Sequence, residues 1–170
     1  MAEATIGTSR TTIEYDNYTF TFIDVGGSGK DEQNWKQYFG EIDGIVYVID
    51  TFEKEYMTRS RRSLFQMIGS NKTTALPLLV FANKQDRFGA LEVEKILEGF
   101  NLHTVRGRPW HLQGSSAKTG KGLAEGFEWL VGHLIKNEHA PLNFTSGVVD
   151  VSSEDKKVDS KEGGSTEGVA

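Results

Sequence analysis

The sequence contains no cysteine, only 3 prolines among 170 residues, and no long apolar run. The lack of cysteine excludes a disulfide framework, a thiolate metal site and a cysteine nucleophile. No segment approaches the roughly 18 consecutive apolar residues that a membrane-spanning helix requires. The polar N-terminus does not resemble a signal peptide, and Ala2 stands where N-myristoylation requires glycine. We therefore expect a cytoplasmic protein with no direct membrane anchor.

Charge and length narrow the function classes further. The formal net charge is −5, from 24 acidic and 19 basic residues. An acidic balance argues against non-specific binding to nucleic acid. The 4 histidines are scattered, without the spacing of a metal site. A chain of 170 residues is long enough for one globular domain with a core.

Hydrophobic patterning predicts an alternation of strands and helices. Two short alternating runs, Ile13–Tyr15 and Tyr18–Ile23, flank a turn and predict an antiparallel hairpin. Gly44–Asp50 and Leu76–Ala82 are continuous apolar runs, which is typical of strands that are buried on both faces. Pro109–Gln113 is a candidate for one more strand.

Helical spacing follows each of these buried runs. The apolar positions that share a helix face are Met57, Leu64, Phe65 and Ile68; then Ala90, Val93 and Leu97; and then Leu123, Phe127, Leu130 and Leu134. Strands that alternate with helices predict an α/β fold with a mostly parallel sheet flanked by helices.

Composition changes at both ends of the chain. Residues 1–11 are small and polar, and we interpret them as a loop or arm. Residues 141–170 are rich in Ser, Gly and charged side chains, with six acidic residues against three lysines. Such a segment has too little apolar surface to offset the entropy of ordering, so we predict a disordered acidic tail. The domain is then expected to span residues 1–140.

The strongest chemical motif is Asn83-Lys84-Gln85-Asp86, directly after a predicted buried strand. Ligands of α/β proteins generally bind at the carboxyl edge of the sheet. There, the Asp86 carboxylate is suited to accept hydrogen bonds from N1–H and the N2 amino group of guanine, which adenine lacks. The Lys84 stem can lie on the base plane, and Asn83 can tie neighbouring loops together. A polar turn that merely closes a strand is the alternative for this motif alone.

A second motif, Ser115-Ser116-Ala117-Lys118, precedes the last predicted helix. Exposed backbone N–H groups in this turn are candidates to donate to guanine O6. By itself, the motif is better explained as the loop before a helix. The 33 residues from Asn83 to Ser116 leave room for one helix and one strand, which favours a joint site.

Two further segments carry residues that are suited to bind a phosphate and its metal ion. Asp24-Val25-Gly26-Gly27 ends the second predicted strand, where Asp24 can hold a Mg²⁺-bound water and Gly27 can donate its N–H to a terminal phosphate. The Thr5 hydroxyl lies in a loop from which it can coordinate Mg²⁺. Each of these patterns is common in unrelated proteins when it stands alone.

Taken in order, these motifs make residues 5–136 resemble the ADP-ribosylation factor (Arf) family of small GTPases, within its Arf-like subgroup. The matching stretches are TIG, DVGG, WKQYF, LLVFANKQD and WHLQGSSAKTGKGL. The resemblance implies a Ras-like P-loop NTPase fold, GTP/GDP and Mg²⁺ as ligands, and a switch function in intracellular or lipidated-cargo trafficking. By the same resemblance, Gly27, Asn83, Lys84, Asp86, Ser116, Ala117 and Lys118 bind nucleotide, while Thr5 and Asp24 bind the metal.

The sequence departs from the family in its phosphate-binding elements. The first strand, the GxxxxGK(S/T) loop and the first helix are missing before Thr5. The segment 26–30, GGSGK, is not a substitute, because Asp24 replaces the first glycine and Asp31 the Ser or Thr. Ser28 stands where the family has the glutamine that orients the attacking water. We therefore expect impaired nucleotide binding and hydrolysis if the chain is complete.

The expected partner surface also differs from the family. The resemblance places the switch regions at Thr5–Thr8 and Gly26–Tyr38, where effectors and regulators bind. Thr8 and Ile23 replace two of three aromatic residues of that surface, and only Tyr38 remains. Two alternatives stay open: a pseudo-GTPase interaction module that does not bind GTP, and an unstable truncated product. The protein could reach membranes only through partners.

Overall fold

The computed structural model describes residues 7–15, 17–27 and 32–135. The elements in chain order are β1 (Thr8–Tyr15), β2 (Tyr18–Val25), α1 (Glu32–Trp35), β3 (Ile45–Asp50), α2 (Met57–Ile68), β4 (Leu78–Asn83), α3 (Val93–Gly99), β5 (Trp110–Gly114) and α4 (Leu123–Leu134). Short 3₁₀ turns lie at Lys54–Tyr56, Asn71–Thr73 and Leu102–Thr104. The predicted tail at 141–170, and with it the domain boundary near residue 140, lies outside the described residues.

The hairpin is longer than the sequence predicted. β1 and β2 pair antiparallel from Tyr15 opposite Tyr18 to Thr8 opposite Val25. Our interpretation of residues 1–11 as a loop is therefore wrong from Thr8 onward. Thr8–Thr11 are exposed, so no apolar alternation marks this part of the strand. Threonine is nevertheless β-branched and favours strands, and the pairing with β2 supplies the hydrogen bonds.

The central feature is a parallel sheet in the order β3-β4-β5. Asp50 lies opposite Asn83, and Ala82 lies opposite Gly114, so the carboxyl ends of all three strands meet at one edge. Residues Leu78 to Ala82 of β4 are buried, which explains the continuous apolar run in the sequence. The predicted strand at Pro109–Gln113 is confirmed as β5.

Helices cover both faces of this sheet. Leu78 and Val80 of β4 share a core with Leu64 of α2 and Ile96 of α3. The intervening β4 residues, Leu79 and Phe81, pack with Leu130 and Phe127 of α4 on the opposite face. The fold is therefore α/β, as the strand and helix periodicities predicted. Its three-strand parallel sheet is flanked by helices.

The hairpin and the parallel sheet remain separate within the described residues. Phe127 of α4 contacts both, because its ring lies edge-on to Phe22 at 5.7 Å and to Phe81 at 5.5 Å. β3 is an edge strand on the side away from β4, and its Val48 side chain is 58% exposed.

Arg108, two residues before the start of β5, connects this strand to the end of α2. Its Nη2 donates to the Ile68 carbonyl oxygen at 2.7 Å, and its Nη1 donates to the Leu76 carbonyl oxygen at 3.4 Å. Ile68 is the last residue of α2, where the backbone carbonyls lack helical partners and favour a cation. Partial burial lowers the pKa of the Arg108 guanidinium, which still stays charged at neutral pH.

We expect Arg108→Met to lower the free energy of unfolding by about 2 kcal/mol, since charge-assisted hydrogen bonds to partly buried carbonyls are lost. Arg62→Met, an exposed arginine on α2, is the matched control and should change stability by less than about 0.5 kcal/mol. Urea unfolding followed by circular dichroism measures both values. Equal stability of the two variants would show that Arg108 does not hold these elements together.

Candidate functional site

The two recognition motifs meet at the carboxyl edge of the parallel sheet. Asn83 ends β4, and Ser115 directly follows β5. The Asn83 Oδ1 accepts a hydrogen bond from the Ala117 backbone N–H at 2.9 Å. Asn83 thus ties the loop after β4 (residues 83–87, the base loop) to the loop after β5 (residues 115–121, the second loop). This tie is the role that the sequence predicted for Asn83.

Asp86 is held by the second loop. The Ser116 hydroxyl donates to Asp86 Oδ1 at 2.6 Å. Ser116 is only 1% exposed, whereas Asp86 is exposed, so a buried hydroxyl orients a carboxylate at the surface. The Ser116 hydrogen bond is the main cause that lowers the pKa of Asp86, and it outweighs the opposing effect of desolvation; the backbone N–H of Asp86 and the Lys118 and Arg87 cations contribute less. The carboxylate is therefore ionised at neutral pH and can accept two N–H donors.

Lys84 adopts an unusual backbone conformation within the base loop. Its φ of +71° lies in the left-handed region, which is uncommon for a residue with a side chain. Its Nζ lies 2.5 Å from Oδ2 of Asp50 at the end of β3, and both side chains are about one-third exposed (32% and 33%). The ion pair holds the lysine along the carboxyl edge of the sheet, next to the Asp86 turn.

The second loop is a compact turn closed by its own backbone. The Ser116 N–H donates to the Lys121 carbonyl oxygen at 2.9 Å, and the Gly120 N–H donates to the Ser116 carbonyl oxygen at 2.9 Å. Gly122 then begins the approach to α4 with a φ of +76°, and a Cβ there would lie 2.1 Å from the Gly114 carbonyl oxygen. Only glycine fits at this position, so Gly122 fixes how the second loop passes over β5.

The structure describes only some of the residues that were predicted to bind the phosphate and the metal ion. Asp24 lies near the end of β2, in the hairpin sheet, and Gly27 lies two residues beyond the last residue of β2. Gly26 N–H donates to the Gly7 carbonyl oxygen at 3.2 Å, and Trp35 Nε1 donates to the Gly26 carbonyl oxygen at 3.0 Å. Thr5 and Ser28 lie outside the described residues. Across 7–15, 17–27 and 32–135, no group of three or more His, Asp or Glu side chains is arranged to hold a metal ion.

Comparison with known proteins identifies the fold family. The family model of the ADP-ribosylation factor family matches residues 1–134. The chain belongs to the Arf family. A solved structure of the small GTPase Arl6 (BBS3) from Trypanosoma brucei, bound to the nucleotide analogue GppNp, superimposes with a TM-score of 0.74 at 28% identity. The match covers 79% of this chain and 83% of that one. The chain is therefore a small GTPase with a Ras-like fold.

Some contacts of this Arf-family site were not predicted from the sequence. No role was predicted for Gln85 from the sequence. The structure shows its Nε2 donating to Thr51 Oγ1 at 2.9 Å. Arg87 lies over the Phe52 ring, with its Cζ 3.5 Å from the ring centroid. Asp50 ends β3, and Thr51 and Phe52 follow it, so the carboxyl-edge rule could have placed these residues at the sheet edge but not their contacts with the base loop.

The Ala117 N–H is less available to a ligand than the sequence suggested. The loop amides were expected to be open to guanine O6, but the Ala117 N–H is already engaged by Asn83. In the described part of the chain, the hydrogen bonds within the second loop also use the N–H groups of Thr119, Gly120 and Lys121. The Lys118 N–H is consequently the better candidate donor to O6.

The expected partner surface of this Arf-family chain is polar where it is described. The Tyr38 hydroxyl donates to Thr8 Oγ1 at 3.2 Å, and Arg10 lies 5.7 Å from the centre of the Tyr38 ring. Arg10 also forms an ion pair with Glu41 at 2.8 Å. Ile23 lies opposite Arg10 in the hairpin. Charged and hydroxyl groups thus surround Tyr38, the one retained aromatic residue.

If Asp86 recognises a guanine base, its lowered pKa predicts how the preference for guanine depends on pH. A group whose pKa is lowered by folding stays ionised at all pH values above its ordinary pKa of 3.8. We therefore expect the ratio of GDP to ADP affinity to be constant from about pH 8 to about pH 5 and to fall only when Asp86 is protonated at lower pH. Chemical-shift titration at several pH values measures this ratio. A fall already between pH 8 and pH 5 would show that another group reads the base.

Within the described residues, no helix combines the length and the apolar character needed to cross a membrane.

Proposed function

We propose that this small GTPase binds guanine nucleotides through the base loop and the second loop. The observation behind the proposal is the ionised, exposed Asp86 carboxylate, held by Ser116 at 2.6 Å. One carboxylate can accept the N1–H and N2–H donors of guanine together, whereas adenine presents an acceptor and no amino group at these positions. Lys84 packs its stem on the base, Lys118 donates to O6, and Asn83 and Ala117 hold the two loops together.

The phosphate side of the proposed site consists of Gly27, Asp24 and Thr5. Mg²⁺ in nucleotide sites usually takes one or two protein ligands, with phosphate oxygens and waters completing its octahedron. A single carboxylate at Asp24 and a hydroxyl at Thr5 fit this donor set. When bound, Mg²⁺ would neutralise the charge on the phosphates. Gly27 leaves space for its backbone N–H to approach the terminal phosphate.

Hydrolysis is expected to be slow, because a serine side chain at position 28 is too short to orient water as the family glutamine does. The second candidate function follows from the same residue. A pseudo-GTPase would keep the scaffold as an interaction module without GTP turnover. Ser28 and the polar surroundings of Tyr38 favour this alternative, since both depart from the family pattern.

By family membership, we propose a molecular switch in intracellular or lipidated-cargo trafficking. Its effectors and regulators would bind at Thr5–Thr8 and Gly26–Tyr38. The location would be cytoplasmic, with partners providing any contact with membranes. The acidic tail at residues 141–170 would remain outside the nucleotide-binding domain.

The proposed function is tested by titrating the 170-residue chain separately with GDP and ADP in the presence of Mg²⁺, with binding followed by heteronuclear NMR. We expect a preference for GDP, with the largest shifts at the amides of the base loop and the second loop. Shifts of equal size with both nucleotides would contradict guanine recognition. A complete lack of shifts with either nucleotide would favour the pseudo-GTPase alternative.

A further inference from the structure

The end of β3 and the two residues after it contact the base loop at three successive positions. Asp50 forms the ion pair with Lys84, and the Phe52 ring lies under the Arg87 guanidinium. Between them, Thr51 is completely buried (0% exposed). Nothing in the base motif requires a hydroxyl at the residue after β3, so the contacts of Thr51 need an explanation.

Thr51 forms a directed chain of hydrogen bonds with the base loop. Its hydroxyl donates to the Asn83 carbonyl oxygen at 2.7 Å and accepts from Gln85 Nε2 at 2.9 Å. The Thr51 backbone N–H also donates to the Asn83 carbonyl oxygen, at 3.1 Å. Because each hydrogen bond in such a chain polarises the next one, the three groups hold one another in a single arrangement.

Gln85 connects this chain to the rest of the site. Its Nε2 also donates to the Leu91 carbonyl oxygen at 3.0 Å, and its backbone N–H donates to the Ser115 carbonyl oxygen at 3.0 Å. Gln85 is thus attached to β3, to the approach to α3 and to the second loop. The neighbouring Asp86 is exposed, and its side chain accepts the hydrogen bond from the Ser116 hydroxyl.

We propose that Thr51 is a positioning residue for guanine recognition, which acts through Gln85 to set the position of the Asp86 carboxylate. The inference rests on the proposed guanine site. Without the Thr51 hydroxyl, Gln85 would lose one acceptor and the Asn83 carbonyl one donor inside a buried environment. The turn that contains Asp86 would then no longer hold the Asp86 carboxylate in one fixed position at the sheet edge.

A purely structural role for Thr51 makes a different prediction. General loosening of the fold would weaken the binding of every nucleotide alike, because the phosphate and ribose contacts would suffer with the base contacts. A positioning role affects only the reading of the base. The ratio of GDP affinity to ADP affinity therefore separates the two roles, since the two nucleotides share their ribose and phosphates.

The test uses the 170-residue chain and four substitutions. Thr51→Val keeps the side-chain shape but removes the hydroxyl, and Thr51→Ser restores the hydroxyl. Gln85→Met removes the amide at a half-buried position, so it tests the same hydrogen bond without changing the buried threonine. Thr74→Val is the matched control, because the exposed Thr74 hydroxyl bonds only to the carbonyls of Ser70 and Asn71. Chemical-shift titration with GDP and with ADP gives both affinities.

We expect Thr51→Val and Gln85→Met to lower the GDP-to-ADP affinity ratio about tenfold, as the loss of one well-formed hydrogen bond would. Thr51→Ser and Thr74→Val should keep the wild-type ratio. An unchanged ratio in a folded Thr51→Val chain, or an equal loss of affinity for both nucleotides, overturns the proposal. If Thr51→Val does not fold, Gln85→Met decides by the same criterion.

The outcome for the wild-type chain separates this inference from the function on which it rests. A wild-type chain without guanine preference contradicts the proposed function, and the positioning role with it. A wild-type chain that prefers GDP, together with a Thr51→Val ratio equal to the wild-type ratio, contradicts only the role of Thr51.

Discussion

The Asp86→Ala variant is expected to lose the preference for GDP over ADP. The Asp86 carboxylate is ionised, exposed and oriented by Ser116, so it can accept two hydrogen bonds from guanine. Each charge-assisted hydrogen bond contributes about 1.5 kcal/mol or more. Losing both should lower the GDP-to-ADP affinity ratio by about 100-fold. Chemical-shift titration with the two nucleotides measures this ratio.

Two controls sharpen this experiment. Asp43→Ala removes an exposed aspartate from the loop before β3 and should leave the ratio unchanged. Asp86→Asn keeps the shape of the side chain but replaces one acceptor by a donor, so it should lose the preference for guanine as well. If Asp86→Ala still preferred GDP as strongly as the wild-type chain, the base motif would not read guanine in this protein.

Local patterns predicted the buried part of this fold well. β4 is surrounded on both faces and both edges, so its sequence is apolar throughout and identifies the strand directly. The stripe from Leu123 to Leu134 predicted α4 for the same reason, because one face of the helix packs on the sheet. β1 was only partly found, since an exposed strand stabilised by pairing needs no apolar pattern.

The candidate site was predictable only where its chemistry is contained in a short motif. Asn83 and Asp86 follow one strand, and Ser116 follows another, so the carboxyl-edge rule placed them together. Thr51 was not found, because its hydrogen bond to Gln85 joins residues that are 34 positions apart and neither residue type is diagnostic of a site. Such contacts depend on strand order and register, which a single sequence does not specify.

The sequence also did not reveal which polar groups of the site are already bonded to other residues of the protein. The Ala117 N–H was a candidate donor to guanine, but the Asn83 side chain takes it. Lys84 was expected to lie on the base, and its ammonium is held by Asp50 at the sheet edge. In both cases, a polar group that was expected to contact the nucleotide is bonded to another residue of the site. A motif names the residue types of a site, whereas the contacts among them decide which atoms remain for a ligand.

The polypeptide of these 170 residues is expected to bind GTP more weakly than a micromolar dissociation constant and to show no measurable hydrolysis. Its sequence contains no GxxxxGK(S/T) loop, whose backbone amides and lysine hold the phosphates in P-loop proteins. Losing four phosphate hydrogen bonds of about 1.5 kcal/mol each removes about 6 kcal/mol, or about four orders of magnitude in affinity. Isothermal titration calorimetry with Mg²⁺ and GTP measures the constant.

The segment 26–30 provides the control for this last prediction, because GGSGK has the lysine of a phosphate loop but not its full spacing. If Lys30 does not act as the lysine of a phosphate loop, Lys30→Ala should bind GTP as the wild-type chain does. A sub-micromolar constant that Lys30→Ala abolishes would show that this segment replaces the phosphate loop. A sub-micromolar constant that survives the substitution would still contradict the prediction, and the phosphates would then be held by groups outside this segment.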